Sequence, residues 1–218
     1  MIVCGSNQRV LMERNSMRKV LNVGGNSKTI PLPQQYAGWE HVLLDIDPKG
    51  KPDVVCDARE LSSLPGAEYD SVYCAHNLEH YYHHEVAKVL AGFSHVLKAD
   101  GFVFIRVPDM ADLMRTVAKN NLDMDDVLYE AKAGPITVRD FIYGYGKEIE
   151  ESGNDFFAHK TGFTRKSLIL TLRAAGFPIV FTATRNLESG LDSMEVVAFA
   201  FKNSPNKYAI KLLGLPKN

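Results

Sequence analysis

The segment Lys19-Val20-Leu21-Asn22-Val23-Gly24-Gly25-Asn26 decides the fold of this chain. Its first five residues are mostly apolar, which predicts a short buried strand. Two glycines follow at once, as is typical of a turn at which the backbone approaches a ligand closely. Pro31 and Pro33 then exclude a long helix from the next stretch. We therefore expect the glycine turn to be the centre of a binding site, followed by a short or degenerate helix.

Four further short apolar segments predict strands. They are Glu40–Asp47, Asp53–Asp57, Tyr69–Ala75 and Phe102–Val107. Between the last two, apolar residues recur at helical spacing over Tyr82–Leu97, and Ala99-Asp100-Gly101 is predicted to be the turn that follows this helix. Strands that alternate with helical or irregular links predict an α/β protein with a doubly wound, mostly parallel sheet and helices on both faces.

After Pro108 the alternation of short apolar strands with connecting segments ends. We predict helices over Met110–Lys119 and Met124–Ala133, followed by an aromatic, glycine-punctuated run. An insertion of this size is more than a linker, so we expect residues 109–163 to form a cap over the ligand cleft of a single domain that spans residues 1–218.

Regular structure is expected again from Thr164, a predicted N-cap, through a helix that ends at Ala175 and Gly176. Phe177–Thr184 and Met194–Phe201 are then predicted to pair as strands, with residues 203–218 as a tail. At the other end, residues 1–18 are expected to be a short lead-in with one or two helical turns around Val10–Met17.

Composition excludes several classes of protein. The chain has 218 residues, 45% of them hydrophobic, and a net charge of −1, so it lacks the basic surface that nucleic-acid binding requires. Its three cysteines, Cys4, Cys56 and Cys74, are an odd number that fits buried thiols in a reducing compartment. No apolar run approaches the roughly 18 residues that span a bilayer. We expect a cytoplasmic protein without a membrane span.

Polar residues end several of the predicted strands. The Gly24 turn, Asp45, Asp57 and the segment Cys74–His80 all follow strands whose carboxyl ends meet at one edge of such a sheet. A nucleoside-containing ligand needs a glycine turn for close backbone approach, a carboxylate for the ribose hydroxyls and a polar group for the base. The sequence therefore predicts a nucleoside-type site at this edge.

Five short motifs occur in one order along the chain. They are Asn22-Val-Gly24-Gly25, Leu44-Asp45-Ile46-Asp47, Cys56-Asp57-Ala58, Asn77-Leu78-Glu79-His80 and Leu97-Lys98-Ala99-Asp100-Gly101-Phe102. Over residues 19–109 the set resembles the class I S-adenosylmethionine-dependent methyltransferases, and Val107-Pro108-Asp109 is similar to one bacterial group of them. The resemblance implies a Rossmann-like methyltransferase fold with a seven-stranded sheet of order 3-2-1-4-5-7-6, its last strand antiparallel. It also implies an enzyme that uses S-adenosylmethionine to methylate a small-molecule or glycan-type acceptor.

The same resemblance implies the cofactor-binding residues. Asn22, Gly24 and Gly25 would hold the methionine part, Asp45 and Ile46 the ribose, Asp57 and Ala58 the adenine, and Ala75, His76 and Asn77 the sulfonium side. Two alternatives stay open: Asp45 could cap the following turn, and Asp57 could be the N-cap of a helix near Arg59. The family's glycine loop usually begins with an acidic residue and has three glycines at alternate positions. In this chain Asn22 replaces the acidic residue, and Asn26 and Lys28 replace the second and third glycines.

Candidate catalytic residues are three histidines, His76, His80 and His159, with Tyr143 and Tyr145 as candidate substrate contacts. Methyl transfer is a direct displacement, in which a general base is needed only for an acceptor such as a hydroxyl. A purely structural role for each histidine stays open.

Two other functions compete with this one. Because the glycine loop is degenerate, the chain could be a non-catalytic binding module with a methyltransferase fold. Alternatively, His76-Asn77-Leu78-Glu79-His80 satisfies the H-x-x-E-H pattern of zinc peptidases and predicts a metal-dependent hydrolase that uses His76, Glu79 and His80, if both histidines lie one turn apart on a helix. We expect no such metal, since His76 directly follows a strand. The phosphate-binding loop and the dinucleotide fingerprint both fail at required glycines.

Overall fold

The computed structural model describes residues 17–131, 134–185, 194–205 and 210. It contains nine strands and five α-helices among these residues. The strands are β1 (Lys19–Val23), β2 (Glu40–Asp45), β3 (Val54–Val55), β4 (Tyr69–Ala75), β5 (Leu97–Pro108), β6 (Val127–Ala131), β7 (Gly134–Thr137), β8 (Ile179–Arg185) and β9 (Glu195–Phe201). The helices are α1 (His83–Val96), α2 (Met110–Asn120), α3 (Val138–Tyr143), α4 (Gly146–Ser152) and α5 (Arg165–Ala174). The predicted lead-in helix and most of the predicted tail lie outside the described residues.

Seven strands form one sheet in the order β3-β2-β1-β4-β5-β9-β8. Neighbours from β3 to β5 are parallel, and β9 is antiparallel to both β5 and β8. Because β6 and β7 form a separate hairpin, the main sheet has the predicted order 3-2-1-4-5-7-6 with its last strand antiparallel. The predicted fold class is confirmed. The point where strand order reverses lies between β1 and β4, beside the Gly24 turn.

The main core lies on one face of the sheet, where α1 and α5 pack against apolar residues of the parallel strands. Val86, Val89, Leu90 and Phe93 of α1 are all fully or almost fully buried, as their helical spacing predicts. The Thr164 side chain accepts a hydrogen bond from the Ser167 N–H and so caps α5, as predicted.

The opposite face carries a smaller aromatic cluster. Tyr36, Tyr73 and Phe104 pack together there, with Tyr36 donating to or accepting from Ser71 Oγ at 2.8 Å. Between β1 and β2 the described residues form only a 3-10 turn at Gln34–Tyr36 and no α-helix, which confirms the short link that Pro31 and Pro33 predict. No helix among the described residues is long and apolar enough to cross a membrane.

One predicted helix is wrong. Residues Met124–Ala133 were expected to be helical, but β6 and β7 form an antiparallel hairpin there, with Val127 opposite Thr137. The physical reason is local: Val127 and Tyr129 favour extended backbone, and Gly134, with a φ of +118°, and Pro135 cannot continue a helix. The hairpin packs with α2 and α3 around Leu113, Leu128 and Phe141.

Several strand boundaries also differ from expectation. β2 ends at Asp45 rather than Asp47, because the Asp45 carboxylate accepts a hydrogen bond from the Asp47 N–H and turns the chain. β3 is reduced to Val54–Val55. β5 begins at Leu97, so the predicted turn at Ala99–Gly101 lies inside the strand, where its register with β4 shifts between Tyr69 and Ser71.

Candidate active site

A cavity of about 690 Å³ opens at the carboxyl ends of β1, β2, β4 and β5. Every residue predicted to contact the cofactor lines it except Ala58. Those that do are Asn22, Gly24, Gly25, Asp45, Ile46, Asp57, Ala75, His76 and Asn77. Ala58 is 2% exposed and packs in the main core instead. The topology therefore brings together residues that are up to 55 positions apart in the sequence.

The Gly24 turn is closely packed by two side-chain amides. Gly24 has a φ of +70°, and a Cβ at this position would overlap the Asn77 side chain. A Cβ on Gly25 would overlap the amide of Asn22, which is itself 4% exposed and lies 3.2 Å from His41 Nε2. The loop therefore requires glycine at both positions, although Asn26 and Lys28 stand at the second and third glycine positions of the family.

Asp45 holds the glycine loop against the end of β2. Its Oδ2 accepts a hydrogen bond from the Asn26 N–H at 2.9 Å, and its Oδ1 accepts one from the Asp47 N–H at 3.0 Å. Asp45 thus caps the following turn, which was the structural alternative for this residue. A carboxylate has about four lone-pair directions, so two remain for ligand hydroxyls at the cavity wall.

Asp57 is committed to a different partner. It is the N-cap of a 3-10 helix at Ala58–Ser63 and accepts from the Arg59 N–H at 2.9 Å. The Arg59 guanidinium binds the same carboxylate and also Glu85. Burial raises the pKa of Asp57, but the hydrogen bonds from Arg59 and its charge outweigh burial and lower it overall. A base at this end of the cavity would therefore meet an Asp57–Arg59 pair, and not a free carboxylate.

His76 occupies a constrained position after β4. Its φ is +49°, a left-handed conformation that is uncommon for residues other than glycine. Its backbone N–H donates a hydrogen bond to Arg106 O at 2.9 Å. Nδ1 lies 3.6 Å from Glu79 Oε1, and Nε2 lies 3.3 Å from Glu195 Oε2. Burial lowers the pKa of His76, but the two carboxylates raise it to about 9. The imidazole is therefore charged at neutral pH.

Glu195 is fully buried, and three basic side chains, His76, Arg106 and Arg185, surround its carboxylate. Arg106 binds it through two nitrogens at 2.8 and 2.9 Å, and Arg185 lies 3.0 Å from Oε1. Burial raises the pKa of Glu195, but hydrogen bonds from His76 and Arg106 lower it to about 2. Glu195 lies on β9, outside the motifs, and no sequence signal pointed to it.

The zinc-peptidase pattern does not have its required geometry. Leu78–His80 is a single 3-10 turn and His76 precedes it, so the two histidines do not share a face of an α-helix. Both nitrogens of His76 face carboxylates, while His80 contacts His159, with 5.1 Å between ring centroids. The hydrolase alternative that uses His76, Glu79 and His80 therefore lacks its ligand pair.

The far wall of the cavity comes from the segment before α5. Asp155, Phe156, Phe157 and Lys160 line it. Tyr143 and Tyr145 do not line the cavity, and Tyr143 is 59% exposed, so a contact of either tyrosine with the substrate stays a prediction. Other lining residues that the sequence did not single out are Tyr73, Tyr81, Tyr82, Arg59, Glu85 and Arg106. Of these, only Tyr73 and Arg106 could have been found from the sequence, because both lie near the carboxyl ends of predicted central strands.

Comparison with known proteins agrees with this geometry. Residues 4–105 match a family described as a methyltransferase domain. No curated protein matches the chain. Among solved structures, an S-adenosylmethionine-dependent methyltransferase from Archaeoglobus fulgidus has 17% identity and a TM-score of 0.52, covering 85% of this chain and 86% of its own.

Two further solved structures have the same fold. A Burkholderia thailandensis 1,6-didemethyltoxoflavin-N1-methyltransferase, with bound 1,6-didemethyltoxoflavin and S-adenosylhomocysteine, has 18% identity and a TM-score of 0.51, covering 86% of this chain and 72% of its own. An S-adenosylmethionine-dependent methyltransferase from Mesorhizobium loti has 16% identity and a TM-score of 0.51, covering 84% and 90% respectively. The family match covers residues 4–105 and the fold match covers most of the chain, so the chain resembles S-adenosylmethionine-dependent methyltransferases both in the sequence of its amino-terminal half and in its fold.

Proposed function

We propose that the chain transfers the methyl group of S-adenosylmethionine to a small-molecule acceptor bound between the strand ends and residues 155–160. The observation that carries this proposal is one continuous cavity, with the predicted cofactor residues on one side and Phe156 and Phe157 on the other. A volume of about 690 Å³ lies within the range of small-ligand pockets, roughly 300–1,000 Å³. A glycan-type acceptor stays a prediction.

The cofactor placement is part of the proposal. Gly24, Gly25 and Asn22 hold the methionine part, and Asp45 with Ile46 holds the ribose. The adenine lies toward Asp57, whose pair with Arg59 supplies hydrogen-bond donors beside the carboxylate. Ala58, the other residue predicted to face the adenine, does not line the cavity.

We propose that Ala75, His76 and Asn77 face the reacting sulfonium. The Asn77 side chain lies against the glycine turn and also accepts from Tyr81 OH at 3.3 Å, so it is held in place from two sides. This wall joins the cofactor end of the cavity to the acceptor end.

The acceptor end is built by the inserted region, and we propose that residues 109–163 cap a single domain. Phe156 and Phe157 offer aromatic faces on which a planar ring can pack. The Burkholderia thailandensis neighbour holds a small heteroaromatic molecule together with its cofactor product, which supports an acceptor of similar size here.

The chemical step is a displacement in which the sulfur–methyl bond breaks as the acceptor–methyl bond forms, leaving S-adenosylhomocysteine. Both nitrogens of His76 face carboxylates, and those of His80 lie 3.0 Å from Ala158 O and 3.2 Å from His76 O. His159 does not line the cavity. We therefore propose that none of these three histidines acts as a base, and that the nucleophile of the acceptor is a nitrogen or an ionised oxygen that needs none.

The test uses cofactor with an isotopically labelled methyl group, incubated with separate low-mass and macromolecular fractions of a cell extract. We expect label in the low-mass fraction with the unchanged protein and none with Asp45→Ala, which should no longer bind cofactor. Asp125→Asn, at an exposed carboxylate far from the cavity in the hairpin region, serves as the matched control and should keep the transfer. Label confined to macromolecules would contradict the proposal.

We further propose a cytoplasmic location. Cys56 is partly buried, Cys74 is fully buried, and both are free thiols. Burial also raises the pKa of the Cys74 thiol, which makes it unreactive. Immunodetection after cell fractionation tests this, and recovery in an oxidising compartment would contradict it.

A further inference from the structure

We propose that Glu79, His80 and His159 form a binding site for a divalent transition-metal ion, which ties the turn after β4 to the segment before α5. The site does not depend on the acceptor proposed above. It differs from the zinc-peptidase pattern because His159 replaces His76 as the second imidazole.

The first observation is an unsatisfied buried carboxylate. Glu79 is 1% exposed, and neither of its side-chain oxygens has a hydrogen-bond partner among the described residues. The ring of His76 forms an ion pair with Oε1, but the Nδ1–Oε1 distance of 3.6 Å is too long for a hydrogen bond. Buried carboxylates are normally hydrogen-bonded, so both oxygens of Glu79 lack their usual partners, and a bound cation would supply one.

The second observation is the placement of two imidazoles beside this carboxylate. One ligand atom from each of Glu79, His80 and His159 lies within 4.8 Å of the other two. With metal–ligand distances of about 2.0–2.2 Å, ligand atoms in a tetrahedral site lie roughly 3.3–3.6 Å apart. Metal binding therefore brings the three ligand atoms closer together by up to about 1.5 Å, a movement that side-chain rotation can supply.

His159 is oriented as a metal ligand requires. Its Nδ1 lies 3.0 Å from Phe141 O, and since a carbonyl only accepts, Nδ1 carries the hydrogen and the Nε2 lone pair is left for a metal. His80 has both nitrogens against backbone carbonyls, Ala158 O and His76 O, so on metal binding one nitrogen gives up its hydrogen and its carbonyl contact and coordinates the ion instead.

The backbone already holds the two halves of the site together. Glu79 O accepts hydrogen bonds from the Lys160 N–H at 2.8 Å and from the Thr161 N–H at 3.1 Å. Because the ligands are pre-positioned, binding costs little conformational entropy.

The ligand set indicates which metals fit. Two imidazoles and one carboxylate suit zinc, cobalt, nickel or iron, whereas calcium and magnesium prefer all-oxygen sites. Three protein ligands leave a coordination position for water. His80 also lines the cavity, so the ion would lie at the wall of the acceptor end.

The experiment titrates the full-length protein, first stripped with a chelator, with Co²⁺ followed by visible absorption and with Zn²⁺ followed by calorimetry. We expect about one equivalent of each ion, with an intense ligand-field band for cobalt that zinc displaces. Glu79→Gln and His159→Gln should each weaken zinc binding by at least about tenfold. His83→Gln, at an exposed histidine on the first turn of α1, should leave it unchanged.

Circular dichroism identifies any variant that does not fold, and His80→Gln then replaces it in the comparison. Sub-stoichiometric binding, or binding that survives in Glu79→Gln and His159→Gln, would overturn the metal site. Cofactor binding measured on the same samples separates the two proposals, because a protein that binds S-adenosylmethionine but no metal refutes only this one.

Discussion

Gly24 and Gly38 can be compared directly, because both have a left-handed backbone but different surroundings. Both have a positive φ, +70° and +79°, but a Cβ would overlap Asn77 at Gly24, whereas nothing lies within 4 Å at Gly38. Gly38→Ala should therefore lose only the roughly 1 kcal/mol that a left-handed backbone costs a side chain. Gly24→Ala should lose more, and it should also weaken cofactor binding because Asn77 must move. Urea denaturation and calorimetric titration measure the two effects; equal losses of stability in both variants would contradict the overlap.

His76 predicts a pH dependence of stability. Its pKa is raised from 6.5 to about 9 by Glu195 and Glu79, so folding favours the charged ring. The stabilisation is complete below pH 6.5 and is lost as the pH rises through about 9. We expect the free energy of unfolding of His76→Gln to fall less over this interval than that of the unchanged protein.

The ring of His76 is 47% exposed, so solvent screens the effect and it should be modest. Arg106 and Arg185 also face Glu195. Burial lowers the pKa of Arg106, but its hydrogen bonds and ion pair with Glu195 raise it overall, so Arg106 keeps its charge over this interval. His83→Gln provides the control at an exposed histidine. Parallel pH curves for the unchanged protein and His76→Gln would show that the two carboxylates do not hold the charged ring.

At the scale of elements, α5 depends on its amino-terminal cap. Thr164 Oγ1 accepts a hydrogen bond from the Ser167 N–H at 3.1 Å, and Ser167 Oγ accepts one from the Thr164 N–H at 2.9 Å. Thr164→Ala should therefore cost about 1 kcal/mol of stability. Thermal or urea unfolding measures the loss, and Ser62→Ala at an exposed position is the control. A loss no larger than that of the control would mean that packing alone sets the start of the helix.

The β6–β7 hairpin marks where element prediction failed. Local periodicity over Met124–Ala133 resembled a helix, yet packing of Leu128 against Leu113 and Phe141 favours an extended strand. By contrast, β4 and α1 were predicted within one residue, since each has a long apolar pattern bounded by polar or turn residues. Short segments that bury only one or two side chains are decided by their neighbours, which a local pattern does not contain.

For the whole molecule, cofactor binding should couple to global stability because the cavity joins β1, β2, β4 and the inserted region. A ligand at about 100 times its Kd adds roughly 2.7 kcal/mol, which corresponds to a rise in Tm of about 5–10 °C for a chain of this size. Asp45→Ala should abolish most of this rise while keeping the Tm without ligand within a few degrees. Differential scanning calorimetry with S-adenosylmethionine measures both, and an equal rise in the variant would refute the assignment of Asp45.

The sequence by itself determined the parallel sheet, its strand order through a family resemblance, and most of the residues at the strand ends that line the cavity. It could do so because the glycine turn, Asp45 and Asp57 each directly follow an apolar strand, and parallel strands bring their carboxyl ends to one edge. Local order along the chain was enough to predict which residues meet there.

The tertiary structure alone decided the partners of those residues. Arg59 forms an ion pair with Asp57, and Glu195 of β9 forms one with His76. His159, from the inserted region, lies beside His80 and Glu79. Each of these contacts joins side chains from separate elements or depends on rotamers set by packing. Charge and protonation in a buried site depend on such neighbours, so the chemistry at the acceptor end follows from the three-dimensional arrangement and not from the motifs.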